Sequence, residues 1–355
     1  MIMSVFNKIL IINIACLICL NIPSFAQTKN VKVGAYYFDG WTGTYPYHIT
    51  DKLKNTYSER KPIWGWITSS QKIVDKQILA ASQSGLSFFS FCWYNDVKDT
   101  ATPLNNALSY YLKSPYQDKL KFCLMIANHK GNEVRERDWD KLTTEWIKLF
   151  KSKNYLTVNN KPLIIFFTPK GLNEEFGSFI NVKQAFDKFR QKAIACGLKG
   201  VTIAACVGSN GVDIASAKLC GYDVLTGYNY HYAGFTGSEK VVPIEKLQQN
   251  ETKEWNKISG NKLPYIPVST LNWDPRPWAD QNQSYANSPR YTGFSTNSVY
   301  KSVANICKWV NTHPNNTPKE RIALLYAWNE YGEGAWLTPS KTTDFLPAIK
   351  QANNQ

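Results

Sequence analysis

Histidine and methionine are scarce in this chain, with four and three among 355 residues. Cysteine is little better placed to bind metal. Two of the eight cysteines, Cys16 and Cys19, fall in an apolar leader, and none of the other six (Cys92, Cys123, Cys196, Cys206, Cys220 and Cys307) forms a C-x-x-C pair. That excludes the usual zinc spacings, and neither a metal nor a cofactor is expected. Cys92, Cys123 and Cys206 sit inside apolar strand-like runs and read as small buried residues. Acidic residues are outnumbered, 27 to 41, giving a net charge of +14. The excess lysines are spread over helix-like stretches such as Lys183, Lys188 and Lys192, with no dense basic tract interleaved with aromatics. Nucleic acid is therefore not an expected partner. A solvated basic surface accounts for the charge, with an acidic polysaccharide as the sharper alternative. No Ser/Gly/Pro-rich linker divides the chain.

Long hydrophobic runs are missing beyond the N-terminus. Residues 9–20 are apolar apart from Asn13, follow Lys8, and precede the small-x-small pattern Ser24-Phe25-Ala26. The run is short for a membrane span. It predicts a removed signal peptide over 1–26 and an exported, periplasmic or extracellular, domain over 27–355, with no transmembrane segment after removal. A lipid anchor would need a modified Cys16 or Cys19, and neither follows a convincing lipobox.

What the chain does have is alternation. Strand-like apolar runs are expected at 31–38, 86–93, 120–127, 162–167, 201–207, 223–229, 265–271 and 322–327. Amphipathic helices are expected at 71–84, 103–113, 139–151, 182–196, 213–220, 243–259, 297–310 and 345–351. Nearly continuous apolar strands are those buried on both faces. Eight strand–helix units in one series predict an α/β fold, a single (β/α)8 TIM barrel.

In such a barrel the residues just past each strand converge on one face. The last strand ends in Glu330 and Glu333, three residues apart, flanked by Trp328 and Trp336 and broken by Gly332 and Gly334. One carboxyl group can protonate a leaving oxygen while the other acts near the anomeric centre, so the pair points to sugar chemistry. A solvated acidic turn is the bland alternative. The other strand ends supply Tyr36, Asp39, Trp93, Tyr94, Asn128, His129, Tyr228, Tyr230, Trp273, Asp274 and Asn329 as candidate substrate-binding residues, because sugars are held by aromatic faces and by amides or carboxylates. Each has a structural alternative: rim packing for Trp93 and Trp273, a turn cap for His129, and turn formation for Asp39 before Gly40 and for Asp274 before Pro275.

The segment 327–337, Ala-Trp-Asn-Glu-Tyr-Gly-Glu-Gly-Ala-Trp-Leu, resembles the Trp-Asn-Glu-x-x-Glu-Gly signature of glycoside hydrolase family 99 and its WbsX-type relatives. Segments 33–37, 85–94 and 127–129 look like further parts of that group, so the likeness runs across nearly the whole mature chain. The resemblance implies a retaining, endo-acting glycosidase on a (β/α)8 barrel that uses no metal and acts on an α-linked polysaccharide, α-mannans being the best-known substrates. It implies that Glu330 is the base on the sugar 2-hydroxyl, closing a 1,2-anhydro intermediate, and that Glu333 is the general acid and then base. Glu333 is then expected to carry a raised pKa while Glu330 stays ionised. Cys92 stands where many relatives carry an Asp ahead of Trp-Tyr, a departure that bears on the substrate. Two alternatives stay open: a non-catalytic carbohydrate-binding barrel, and a glycosyltransferase, for which the sequence shows no nucleotide-sugar diphosphate site.

Overall fold

The computed structural model describes residues 30–95 and 102–353. The expected signal peptide, with Cys16 and Cys19, lies outside the described residues.

Eight parallel strands form the barrel: β1 Lys32–Tyr37, β2 Phe88–Trp93, β3 Lys121–Ile126, β4 Lys161–Phe166, β5 Thr202–Cys206, β6 Val224–Thr226, β7 Val268–Thr270 and β8 Ile322–Tyr326. Each is followed by a helix of the outer ring: α1 Gln71–Gln83, α2 Asn106–Lys113, α3 Trp139–Phe150, α4 Phe179–Ala195, α5 Gly211–Leu219, α6 Ile244–Ser259, α7 Thr296–Thr312 and α8 Leu346–Asn353. Pairing runs in chain order from β1 to β6, and β1 and β7 flank β8. The seam between β6 and β7 is closed ahead of β7, where Leu225 N donates to Pro264 O and Ile266 N to Leu225 O, both at 2.9 Å.

Strands six and seven are shorter than the sequence suggests. Pro264 and Pro267 have no N–H to give a ladder, so the regular strand begins only at Val268. The helices start where polar caps sit. Ser178 accepts from Asn181 N ahead of α4, and Asn210 from Asp213 N ahead of α5, each one turn or less before the expected start.

Side-chain alternation sorts the barrel into an interior and a helix-facing wall. Inside, Phe88 lies over Gly34 so closely that a Cβ there would fall 2.3 Å from the ring. Gly34→Ala is expected to cost about 1–3 kcal/mol through overpacking. Above it the Tyr36 hydroxyl lies among the thiols of Cys206, Cys123 and Cys92. The outer wall is aromatic: Trp146 meets Trp93, Trp139, Phe166 and Phe189 with centroids 5.6–5.9 Å apart. Burying each such ring contributes roughly 1.5–3 kcal/mol. Two long connections rise above the strand ends, between β1 and α1 and between β7 and α7, and these roof the site.

Candidate active site

The last strand delivers its carboxylates through a hairpin that continuous apolar patterning does not reveal. Asn329 and Glu330 pair antiparallel with Trp336 and Ala335. The four residues between them close a turn in which Glu333 N donates to Glu330 O at 3.2 Å. Both glycines are required, for different reasons. Gly334 has φ of +77°, where a side chain strains the backbone. Gly332 lies under the Trp278 indole, and a Cβ there would sit 2.1 Å from the ring. The turn thereby points Glu330 and Glu333 into one cavity of about 490 Å³.

That turn is clamped from behind. The buried Arg60 guanidinium donates through Nη1 to Tyr331 O at 2.9 Å and Asp274 O at 3.1 Å, and through Nη2 to Asp274 Oδ2 at 2.7 Å. Asp274 N in turn donates to Glu333 O at 2.7 Å. Burial alone would push the Asp274 carboxyl up, but Arg276 and Arg60 outweigh it and hold the group below its ordinary range. On the other side Asn329 accepts from Phe38 N at 2.9 Å and donates to Phe38 O at 2.7 Å, tying the hairpin to the end of β1.

The cavity wall is aromatic and amide-rich. Phe38, Tyr94, Phe167, Tyr228, Trp278 and Tyr285 supply rings, His48 and His129 imidazoles, and Asn132, Gln281 and Asn282 amides. The Tyr228 hydroxyl donates to Glu330 Oε1 at 3.0 Å. Burial pushes Glu330 up to about 8 and the Tyr228 hydrogen bond works against it. Burial also pushes Glu333 up to about 8, opposed by a hydrogen bond from Trp278. The expected split, with only Glu333 raised, is thus not imposed by burial: both carboxyls are elevated, and they share one cavity as a pair. Burial lowers the pKa of His48, which is neutral at physiological pH.

Of the residues that the sequence singles out, Glu330, Glu333, Tyr94, His129 and Tyr228 line this cavity. The others lie elsewhere. Tyr36 is beneath it in the barrel interior, its hydroxyl donating to Gly227 O at 2.6 Å. Asp39 is buried behind the wall, accepting from Ala107 N at the start of α2 at 2.5 Å and from Ser69 Oγ ahead of α1 at 3.1 Å. Trp93 faces the helix ring against Trp146. Asn128 accepts from Thr168 N and donates to Thr168 O, locking the end of β4. The Tyr230 hydroxyl bonds that of Tyr265 in the wall, 2.8 Å away. Trp273 stacks on His231 at 4.0 Å. Asp274 and Asn329 hold the hairpin and do not line the cavity. Sequence reading missed Leu104, Met125, Ala127, Asn132 and Phe167 around strands two to four, and Phe38, Pro46, His48, Trp278, Gln281, Asn282 and Tyr285. The last seven come from the two long connections, whose aromatic content is visible in the sequence while their folding over the strand ends is not.

No curated protein sequence matches the chain. Among solved structures, one described as a glycoside hydrolase-like protein superposes with a TM-score of 0.66 at 14% identity, covering 93% of this chain and 96% of that one. The GH99 endo-alpha-mannosidase from Bacteroides thetaiotaomicron, in complex with Bis-Tris propane, gives 0.60 at 12% identity, covering 92% and 96%. At such identities the likeness establishes the shared barrel fold. The family model described as Glycosyltransferase WbsX matches residues 65–346, most of the chain, and the chain belongs to that WbsX family.

Proposed function

We propose that the protein is an exported glycoside hydrolase, retaining and endo-acting on an α-linked polysaccharide, with Glu330 and Glu333 as its catalytic pair. The observation that carries this reading is the tight hairpin that aims two carboxyls, Glu330 buried and Glu333 partly buried, into one aromatic, amide-rich cavity. A volume of about 490 Å³ lies within the roughly 300–1,000 Å³ range of ligand sites. Export is supported by the apolar leader and its cleavage pattern in residues 1–26.

The chemistry follows from one proton shared over two carboxyls. Ionised Glu330, aided by the Tyr228 hydroxyl, takes the proton of the sugar 2-hydroxyl. That oxygen bonds to the anomeric carbon as the bond to the leaving oxygen breaks, and Glu333 gives its proton to the leaving oxygen. In the second half Glu333 takes a proton from water, the water oxygen bonds to the anomeric carbon, the 1,2-anhydro bond opens, and Glu330 returns its proton to the 2-oxygen. Two inversions give net retention.

The family description names a transferase. A nucleotide sugar brings a diphosphate, which needs cationic partners. Among the described residues the cavity is lined by two carboxylates and by no lysine or arginine. A binding protein, for its part, has no use for two adjacent elevated carboxyls. A product screen decides: the mature chain and its Glu333→Gln variant are incubated with α-mannan and a panel of bacterial and plant polysaccharides, and released oligosaccharides are read by mass spectrometry. Products from the parent alone are expected. Glycan binding without products points to a binding protein, and heat evolved on titration with a nucleotide sugar points to a transferase.

A further inference from the structure

The rim of the cavity carries two aromatic side chains that the catalytic reading leaves unused. Among the described residues Tyr45 and Tyr47 are the most exposed aromatics, at 77% and 67%. Exposed rings are ordinary when scattered, but these two are adjacent, with centroids 6.3 Å apart and planes at 83°. They flank Pro46, which itself lines the cavity. The loop that presents them is pinned. Gln281 Nε2 donates to Tyr47 O at 2.6 Å, Thr50 Oγ1 to Pro277 O at 3.1 Å, and Lys52 N to Asp280 Oδ2 at 2.7 Å. Behind Tyr47, His48 packs edge-on against Phe38 and Trp278. The rings therefore stand on a fixed backbone in solvent, beside the exposed amides of Gln281 and Asn282, which also line the cavity. An apolar ring face next to amide donors and acceptors is the chemistry that holds a sugar ring by its C–H surface and its hydroxyls.

We infer that Tyr45 and Tyr47 form an outer carbohydrate-binding platform, taking sugar units of a chain whose reacting unit lies at Glu330 and Glu333. The inference rests on the proposed function and deepens it: the substrate is a polymer that runs out of the cavity over this rim. Pinning the loop before binding lowers the entropy lost when the chain docks.

The test separates the platform from the catalytic reading. The full chain carrying Glu333→Gln is fluorescently labelled and applied to arrayed disaccharides and longer oligosaccharides of fungal, bacterial and plant origin. Long chains are expected to be retained better than their own disaccharides. Adding Tyr45→Ala and Tyr47→Ala together should cut that long-to-short preference about tenfold, a loss of two ring–sugar contacts. Ile180→Ala, an exposed change at the start of α4, should leave the preference as it was. A preference that survives loss of both tyrosines, or is absent from the parent while the wild-type chain still releases products, overturns the platform and leaves the hydrolase standing. An array with no retained glycan, together with no products in the screen, overturns both.

Discussion

Glu251 and Glu330 are both buried carboxyls, and burial pushes both up to about 8. They do different work. Glu251, on α6, accepts from Thr270 N at 2.6 Å through one oxygen and from Ser269 Oγ at 3.0 Å through the other, fastening the helix to β7. Glu330 gives one oxygen to Tyr228 and lines the cavity beside Glu333. The lesson is that for these two carboxyls the upward displacement reports lost water and does not by itself mark function. Function is marked by where the carboxyl opens and by whether a second one shares the opening.

The largest expected effect follows from that contrast. Glu333→Gln keeps shape and removes the transferable proton, so kcat should fall about a thousandfold or more. Glu251→Gln should change kcat less than about threefold and act on stability instead. Steady-state rates on the polysaccharide that the screen identifies check both, and equal losses would mean that Glu251 and Glu333 do not differ in role.

Arg60 sharpens the comparison, because it serves the active hairpin without touching the cavity. Arg60→Ala strips donors from two carbonyls and from a buried carboxylate, and should cost about 3–5 kcal/mol in stability. Chemical denaturation measures it. A change within about 0.5 kcal/mol would mean that Arg276, which donates to Asp274 Oδ1 at 2.7 Å, holds the turn alone.

A smaller effect separates Glu330 from Glu333. With both carboxyls at about 8 and one proton required on the pair, kcat should be bell-shaped in pH with its maximum near 8. Tyr228→Phe removes the donor that favours ionised Glu330. The acidic limb should move to higher pH and kcat should fall about tenfold. A profile whose acidic limb stays in place would separate Tyr228 from the ionisation of Glu330.

The last effect is on stability against pH. Glu251 holds its proton in the folded state up to about 8, whereas an unfolded glutamate loses it near its ordinary value of 4.5. Between those values the folded chain binds more protons, so stability falls as pH rises and is greatest at the acid end. Glu251→Gln should flatten part of the decline in Tm between pH 5 and pH 8.

The fold and the carboxyl pair that shares the cavity were the most legible parts of the chain. Hydrophobic runs must be buried whatever surrounds them, so the eight barrel strands and the eight helices of the outer ring could be located, while their ends, such as those set by Pro267 and by Ser178, and the short helices Asp51–Thr56 and Pro169–Phe176 in the connections were not foreseen. The binding wall was less legible. Period-two alternation was available to separate Tyr94, which lines the cavity, from Trp93, which faces Trp146. Nothing of that kind distinguishes Asn128 and Asn329 as backbone clamps, because an amide in sequence looks the same whether it meets a sugar or a peptide.

By itself, then, the sequence determined which segments leave water, the order in which they alternate, and the spacing that puts two carboxylates on one short turn. Those are local properties, written in neighbouring residues. Only the tertiary structure decided that Trp278 closes over Gly332, that Arg60 braces Tyr331 from 271 residues away, and that Tyr45 and Tyr47 stand at the mouth. Such contacts depend on how two long loops fold back over the strand ends, and loop closure over that distance leaves no periodic signal in the chain.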